Sequence, residues 1–277
     1  MYGLRTPAVV WEFVRWQSHR FRGTDHGISR QRGGSQRRVP RLGSMVGLEP
    51  LGNDLFLVDG PVVRDMGIHF DTRMTVARLG DGSMWIASPV PVRFATLTEI
   101  TALGPVRYLV SPTPRHFWRL YAWHELLPDA ELWSSPITPV TLKKGDLPLT
   151  GILGDRVRDL WAGDLDQVLV RGSRWLNEVI FFHAPTRTLL VEDVIQIHQP
   201  QQGHTLRNVL IALGGVAAPR GGVGRDIRLT FRDKAAAREY IDRVLQWDFD
   251  KLVVAHGPVA THAARQTVEQ AFSWLYH

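Results

Sequence analysis

From residue 45 onward the apolar positions fall into short runs whose period changes along the chain. NDLFLVDGP (53–61), TRMTVARLG (72–80) and SMWIASPV (83–90) are rich in apolar and β-branched residues and bounded by turn formers, which predicts strands. Asp81-Gly82 between the last two is a two-residue hairpin signal. Residues 96–103 predict a short helix before the strand VRYLV (106–110), and 120–127 another before Pro128. DQVLVRG (166–172) reads as a strand, and EVIFFH-APTR-TLLVED (178–193) as a second hairpin. Residues 233–245 read as a helix, KLVVA (251–255) as a buried strand and 261–274 as a closing helix with Val268, Ala271, Phe272 and Leu275 along one side. Hairpins come first and strands alternating with helices follow, in two passes. That order suits two mixed sheets face to face with helices outside. No internal repeat stands out.

Composition narrows the chemistry. The chain has 277 residues, 44% hydrophobic and 22% charged, enough for one large core. No apolar run approaches the roughly 20 residues of a membrane-spanning helix. Cysteine is absent, which excludes disulfides, thiolate nucleophiles and Cys-ligated zinc or iron–sulfur centres. Any metal would sit on His, Asp and Glu.

The net charge of +6 suggests nucleic-acid binding until its distribution is read. Residues 1–44 hold nine Arg against Glu12 and Asp25, or +7, which leaves −1 on the other 233. The basicity belongs to an appendage and not to a face of the domain, so no nucleic-acid partner is expected there. The division is an N-terminal extension at 1–44, expected to be disordered after a short amphipathic start, and a domain at 45–277. Arg-rich leaders can be transit peptides; the alternative is that Met45 is the true start. The preference for Arg over Lys fits a GC-rich bacterial genome, and the expected location is the cytoplasm.

Three strand ends carry the candidate chemistry. VRYLVSPTPRHFW (106–118) breaks from a strand into a Pro-rich turn that delivers His116; TLLVEDV puts Asp193 at a second strand end, and KLVVAHG puts His256 at a third. Strand ends hold catalytic groups firmly while loops shape the pocket. The order of a His turn, an Asp turn and a late His-Gly resembles the metallo-β-lactamase superfamily, and within it a branch known mainly as a domain of unknown function. The resemblance implies an αββα sandwich: two mixed sheets with outer helices.

It also implies a degenerate metal site. Relatives hold one or two metals on an H-x-H-x-D-H turn, a middle His, a bridging Asp and a late His. On this chain the turn becomes Ser111, Thr113, Arg115 and His116, and no histidine lies between His124 and His183 where the middle one would fall. Asp193 and His256 are retained. In the predicted hairpin Glu178 pairs opposite Asp193, while His183 lies five residues away, about 16 Å at ~3.3 Å per residue. Glu178 is therefore the extra carboxylate at the correct end.

His116, Glu178, Asp193 and His256 thus form one candidate catalytic cluster. His116, Asp193 and His256 could hold a single zinc, manganese or iron, with Glu178 as fourth ligand or general base. Alternatively no metal binds, and Arg115 neutralises Asp193 or Glu178 by bidentate hydrogen bonds. Arg115, Thr113 and Trp118 are the candidate ligand-binding residues, with the aromatics after His116 lining an apolar cleft for a small molecule. His69 and His204 read as loop residues, and GGVAAPRGGVG (214–224) as a flexible loop. Two functions remain open: a non-catalytic or altered small-molecule-binding domain, or a single-metal hydrolase of an ester, lactone or similar carbonyl substrate.

Overall fold

A computed structural model describes residues 47–65, 68–136, 148–155 and 159–277. The extension at 1–44 and the question of the start at Met45 lie outside the described residues.

The chain builds β1 (Glu49–Gly52), β2 (Leu55–Asp59), the small hairpin β3 (Val63–Asp65) and β4 (Ile68–Phe70), then β5 (Arg73–Arg78) and β6 (Met84–Ala87). Helix α1 (Phe94–Leu103) leads to β7 (Val106–Ser111), and α2 (Leu120–Leu126) to β8 (Glu131–Ser134) and β9 (Gly151–Ile152). A second series follows: β10 (Leu165–Leu169), β11 (Val179–His183), β12 (Thr188–Val191), α3 (Thr205–Gly214), α4 (Arg225–Arg228), α5 (Lys234–Val244), β13 (Lys251–Val254) and α6 (Ala264–Phe272). One sheet runs β1-β2-β5-β6-β7-β8-β9 and the other β10-β11-β12-β13. Both are mixed. Antiparallel hairpins open each, and parallel pairs close each at β6-β7, β7-β8, β8-β9 and β12-β13.

The period-2 alternation explains the layers. Trp85, Tyr108 and Val110 point to the interior between the sheets, where Leu169, Val179, Phe181, Leu190 and Val253 meet them. Their neighbours Ile86 and Leu109 point the other way, onto Ile100 of α1 and Leu120 and Trp123 of α2. On the second sheet Ile180, Phe182, Leu189, Leu252 and Val254 face outward onto Ile241 and Val244 of α5 and Val268 and Phe272 of α6. Strands buried on both faces must be apolar throughout, as MWIA, VIFFH and TLLV nearly are. Three apolar layers between two sheets and their outer helices make an αββα sandwich.

Two sequence readings need correction. His69 belongs to strand β4, paired with Arg64, and not to a loop. The glycine cluster is pinned and not free: Gln196 bridges Gly222, and His198 bridges Ala217. The apolar pattern also gave no prediction for β1, β8, β9 or α3. Among the described residues no helix is long and apolar enough to cross a membrane.

Candidate metal centre

Three strand ends meet on one edge of the sandwich. Beyond β7, Ser111 Oγ donates to the Thr113 carbonyl and Val179 N–H to the Pro112 carbonyl, which anchors the Pro-rich turn to the second sheet. Beyond β12, the chain curls around the fully buried Glu178. Its carboxylate accepts the backbone N–H groups of Glu192, Asp193 and Val194 at 2.7, 2.8 and 2.7 Å. Beyond β13, Gly257 follows His256 at φ +150°, and a Cβ there would lie 2.4 Å from the Ile197 carbonyl oxygen. Only glycine lets the chain pass so close.

These turns bring His116, Asp193 and His256 together, with one ligand atom of each within 4.8 Å of the others. Both imidazoles aim Nε2 at one oxygen, Asp193 Oδ1, at 3.5 Å from His116 and 3.2 Å from His256. The other Asp193 oxygen, Oδ2, accepts a 2.5 Å hydrogen bond from Thr113. The far nitrogens are held as well. His256 Nδ1 lies 2.6 Å from the Asp71 carbonyl, and His116 Nδ1 lies 2.7 Å from Ser88 Oγ and 3.2 Å from Glu192 Oε2.

The hydrogen-bond logic is constraining. A carbonyl oxygen only accepts, so His256 Nδ1–H donates to Asp71. In the neutral ring the Nε2 lone pair then faces a carboxylate oxygen, and two acceptors at this distance need a proton or a cation between them. Imidazoles clamped at one nitrogen with the other free for a metal are the usual arrangement in metal sites. The donor set, two imidazoles and a carboxylate, suits zinc, manganese or iron.

Electrostatics follow the same geometry. Burial pushes His116 down, but the Asp193 charge and hydrogen bond, joined by Glu192, outweigh it and raise the imidazole to about 10. Burial opposes ionisation of Asp193, yet His116, His256 and Arg115 hold its pKa well below the usual carboxylate range. Glu178 is pushed up to about 8 by burial and by the Asp193 charge, against the pull of the backbone N–H bonds.

The predicted residues are therefore only partly assembled as expected. His116, Asp193 and His256 converge. Glu178 is not among the three converging residues: both its oxygens accept backbone N–H groups of the turn. Arg115 is exposed and makes no ion pair among the described residues. Its backbone N–H bonds Thr113 Oγ1. The neutralising contact expected with Asp193 or Glu178 is absent, because the turn points the guanidinium to solvent. Trp118 stacks on Phe117 at 4.7 Å and is half-exposed beside the His116 turn. His183 lies at the far end of its hairpin, paired with Thr188.

Sequence reasoning missed Glu192, Ser88 and Asp71. Strand alternation sends Glu192 away from Asp193, but the curl around Glu178 ends the alternation and turns both acids toward the site. Ser88 follows β6 at φ +52°, a left-handed backbone uncommon for a non-glycine residue and frequent at functional sites. The visible signal for Ser88 was a polar residue closing an apolar strand before Pro89. His198 forms a second layer. Burial, with help from the neighbouring His256 and Arg207, lowers its pKa to about 4, and its Nε2 meets Gln196 Oε1 at 2.9 Å.

The profile of a family described as Domain of unknown function (DUF4336) matches residues 66–207. No curated protein sequence matches the chain. A metallo-β-lactamase from Hirschia baltica superposes with TM-score 0.56 at 13% identity, covering 82% of this chain and 96% of that one. One from Pontibacter korlensis gives 0.54 at 10%, covering 82% and 98%. A metal-soaked flavodiiron core from Synechocystis gives 0.55 at 12%, covering 83% of this chain and 60% of that one. At such identities the likeness establishes the metallo-β-lactamase fold.

Proposed function

This chain belongs to the DUF4336 family of domains of unknown function, and from its own site we propose that it holds a single divalent cation on His116, Asp193 and His256 and acts as a hydrolase of a small ester, lactone or similar carbonyl substrate. One observation carries the reading: His256 Nε2 faces Asp193 Oδ1 while its Nδ1–H is committed to Asp71, so the pair is built to share a cation. Fold likeness extends to both lactamases and a flavodiiron core, so the fold does not choose the chemistry.

Such a cation would supply Lewis acidity and a water acidic enough to ionise near neutral pH. The chain's own residues do the rest. Thr113 fixes the Asp193 carboxylate, the Asp71 carbonyl fixes the His256 ring, and Ser88 with Glu192 fixes the His116 ring. Trp118 offers an apolar wall at the mouth, and Arg115 a cation for an anionic group on the ligand. Compared with the ligand-rich turn of the superfamily the site is degenerate, since Ser111, Thr113 and Arg115 cannot replace its imidazoles and carboxylate. A cytoplasmic bacterial setting, with no nucleic-acid partner for the domain, completes the reading.

Elemental analysis of full-length protein purified without chelator tests it. Stoichiometric zinc, manganese or iron, lost in His256→Ala and Asp193→Asn, is the expected result. Protein that carries none of these and takes none up on titration would overturn it, in favour of a non-catalytic domain that recognises an anionic ligand through Arg115.

A further inference from the structure

Helix α3 presents its more apolar face to solvent. Leu206, Val209, Leu210 and Leu213 recur at i, i+3, i+4 and i+7, which places them in one stripe along the helix. They are 73, 48, 47 and 61% exposed, and none belongs to the three apolar layers. The inward side is thin. Only Arg207 and Ile211 are buried, and Arg207 pins the helix by donating to the Gln199 and His69 carbonyls. A surface helix ordinarily buries its leucines and exposes its arginine. This one does the reverse.

We infer that this stripe is the self-association surface of the protein, pairing α3 with α3 of a second copy about a two-fold axis. The exposed positions Thr205, Leu206, Val209, Leu210, Ala212 and Leu213 carry no charge, so nothing repels an identical helix laid against it. Spacing of i, i+3, i+4 and i+7 is what helix-on-helix packing uses, and an antiparallel copy sets Leu206 opposite Leu213 and Val209 opposite Leu210. Closed two-fold pairs are the commonest homo-oligomers. The stripe offers on the order of 400 Å² of apolar surface, the size at which a contiguous patch marks an interaction site. Two such stripes supply ~800 Å², and Leu229, 81% exposed, follows the short helix α4 whose Arg225 abuts Gly215 at the end of α3. The paired area lies below the ~1,200 Å² at the lower end of standard specific interfaces, which fits a pair that forms at micromolar concentration. A bilayer surface fits less well, because an interfacial helix carries Lys or Arg along its polar face, whereas within α3 the stripe is bordered by Thr205, Asn208 and Ala212 and the one Arg is buried.

Sedimentation velocity on the full chain at micromolar concentrations tests the inference. The wild type should sediment as a dimer. Leu210→Glu and Leu210→Lys should each weaken association by at least about 30-fold, the effect of a charge at the centre of an interface, with unchanged circular dichroism; mixing the two variants should restore a dimer. The absence of native cysteine gives a second measurement that needs no disruptive change: Leu210→Cys should oxidise to a cross-linked dimer, and Phe94→Cys, 77% exposed elsewhere, should not. A monomeric wild type, a dimer that persists in both charged variants, or a monomer that binds anionic vesicles through Leu210 would each overturn it.

Discussion

The β11–β12 hairpin has a buried ionisable residue at each end, and the two ends treat charge in opposite ways. At the far end His183 Nδ1–H donates to Thr186 Oγ1, which donates to Thr188 Oγ1, which donates to the Thr186 carbonyl. That relay of hydroxyls leaves Nε2 buried without a partner. Burial outweighs the opposing charges of Asp164 and Asp54 and lowers the pKa to about 4. Facing the near end, His116 on the turn after β7 is half-buried, but two carboxylates face it and the pKa rises to about 10. Burial acts the same way on both rings. What differs is contact: carboxylates of the near turn, curled around Glu178, lie against the His116 ring, and among the described residues none lies against His183.

The largest expected effect breaks the near end. Asp193→Ala leaves two imidazoles without their shared carboxylate; chelator-treated protein should lose about 3–5 kcal/mol in chemical denaturation, and zinc uptake in a competition titration should vanish. An unchanged metal affinity would remove Asp193 from the centre.

The far end should reveal itself through pH. His183 titrates near its ordinary 6.5 in the unfolded chain and near 4 in the folded one, so the unfolded state binds more protons between these values. Its contribution is complete above pH 6.5 and is lost as pH falls toward 4, about 3 kcal/mol in all. Denaturation curves for His183→Gln should lack that part of the slope; identical slopes would show that His183 already titrates normally.

Glu178→Gln sharpens the comparison by keeping size and losing one acceptor. One backbone N–H of the curl is left unpaired, at a cost of about 1–3 kcal/mol, and His116 and Asp193 drift apart, so metal affinity falls although no ligand is changed. If Glu178 were itself a ligand, affinity would instead collapse as in Asp193→Ala. The smallest effect belongs to Arg115→Ala, within about 0.5 kcal/mol of wild type because the side chain is exposed. A larger loss by thermal denaturation would mean that the guanidinium reaches a carboxylate after all.

Much of the architecture was legible in the chain. The hairpin register that puts His183 opposite Thr188, the two passes of strands and helices, and the strand ends that deliver His116, Asp193 and His256 follow from period-2 runs and turn residues, which act over a few positions. Helix α3 was not legible, because its apolar stripe faces outward and its buried arginine reads as a surface residue.

The sequence by itself determined which strands are apolar on both faces, hence two stacked sheets, and which residue types wait at their ends. Tertiary structure alone decided the roles of the acids. Glu178 and Asp193 are cross-strand neighbours by register, yet the curl turns one carboxylate onto three N–H groups and the other onto two imidazoles. Glu192 reached the site because that same curl broke the alternation, and Arg115, on a turn that faces water, acts on Asp193 through its charge and not by contact. Periodicity is a local property of the backbone; the direction of a side chain at an irregular turn is set by what the rest of the fold places beneath it.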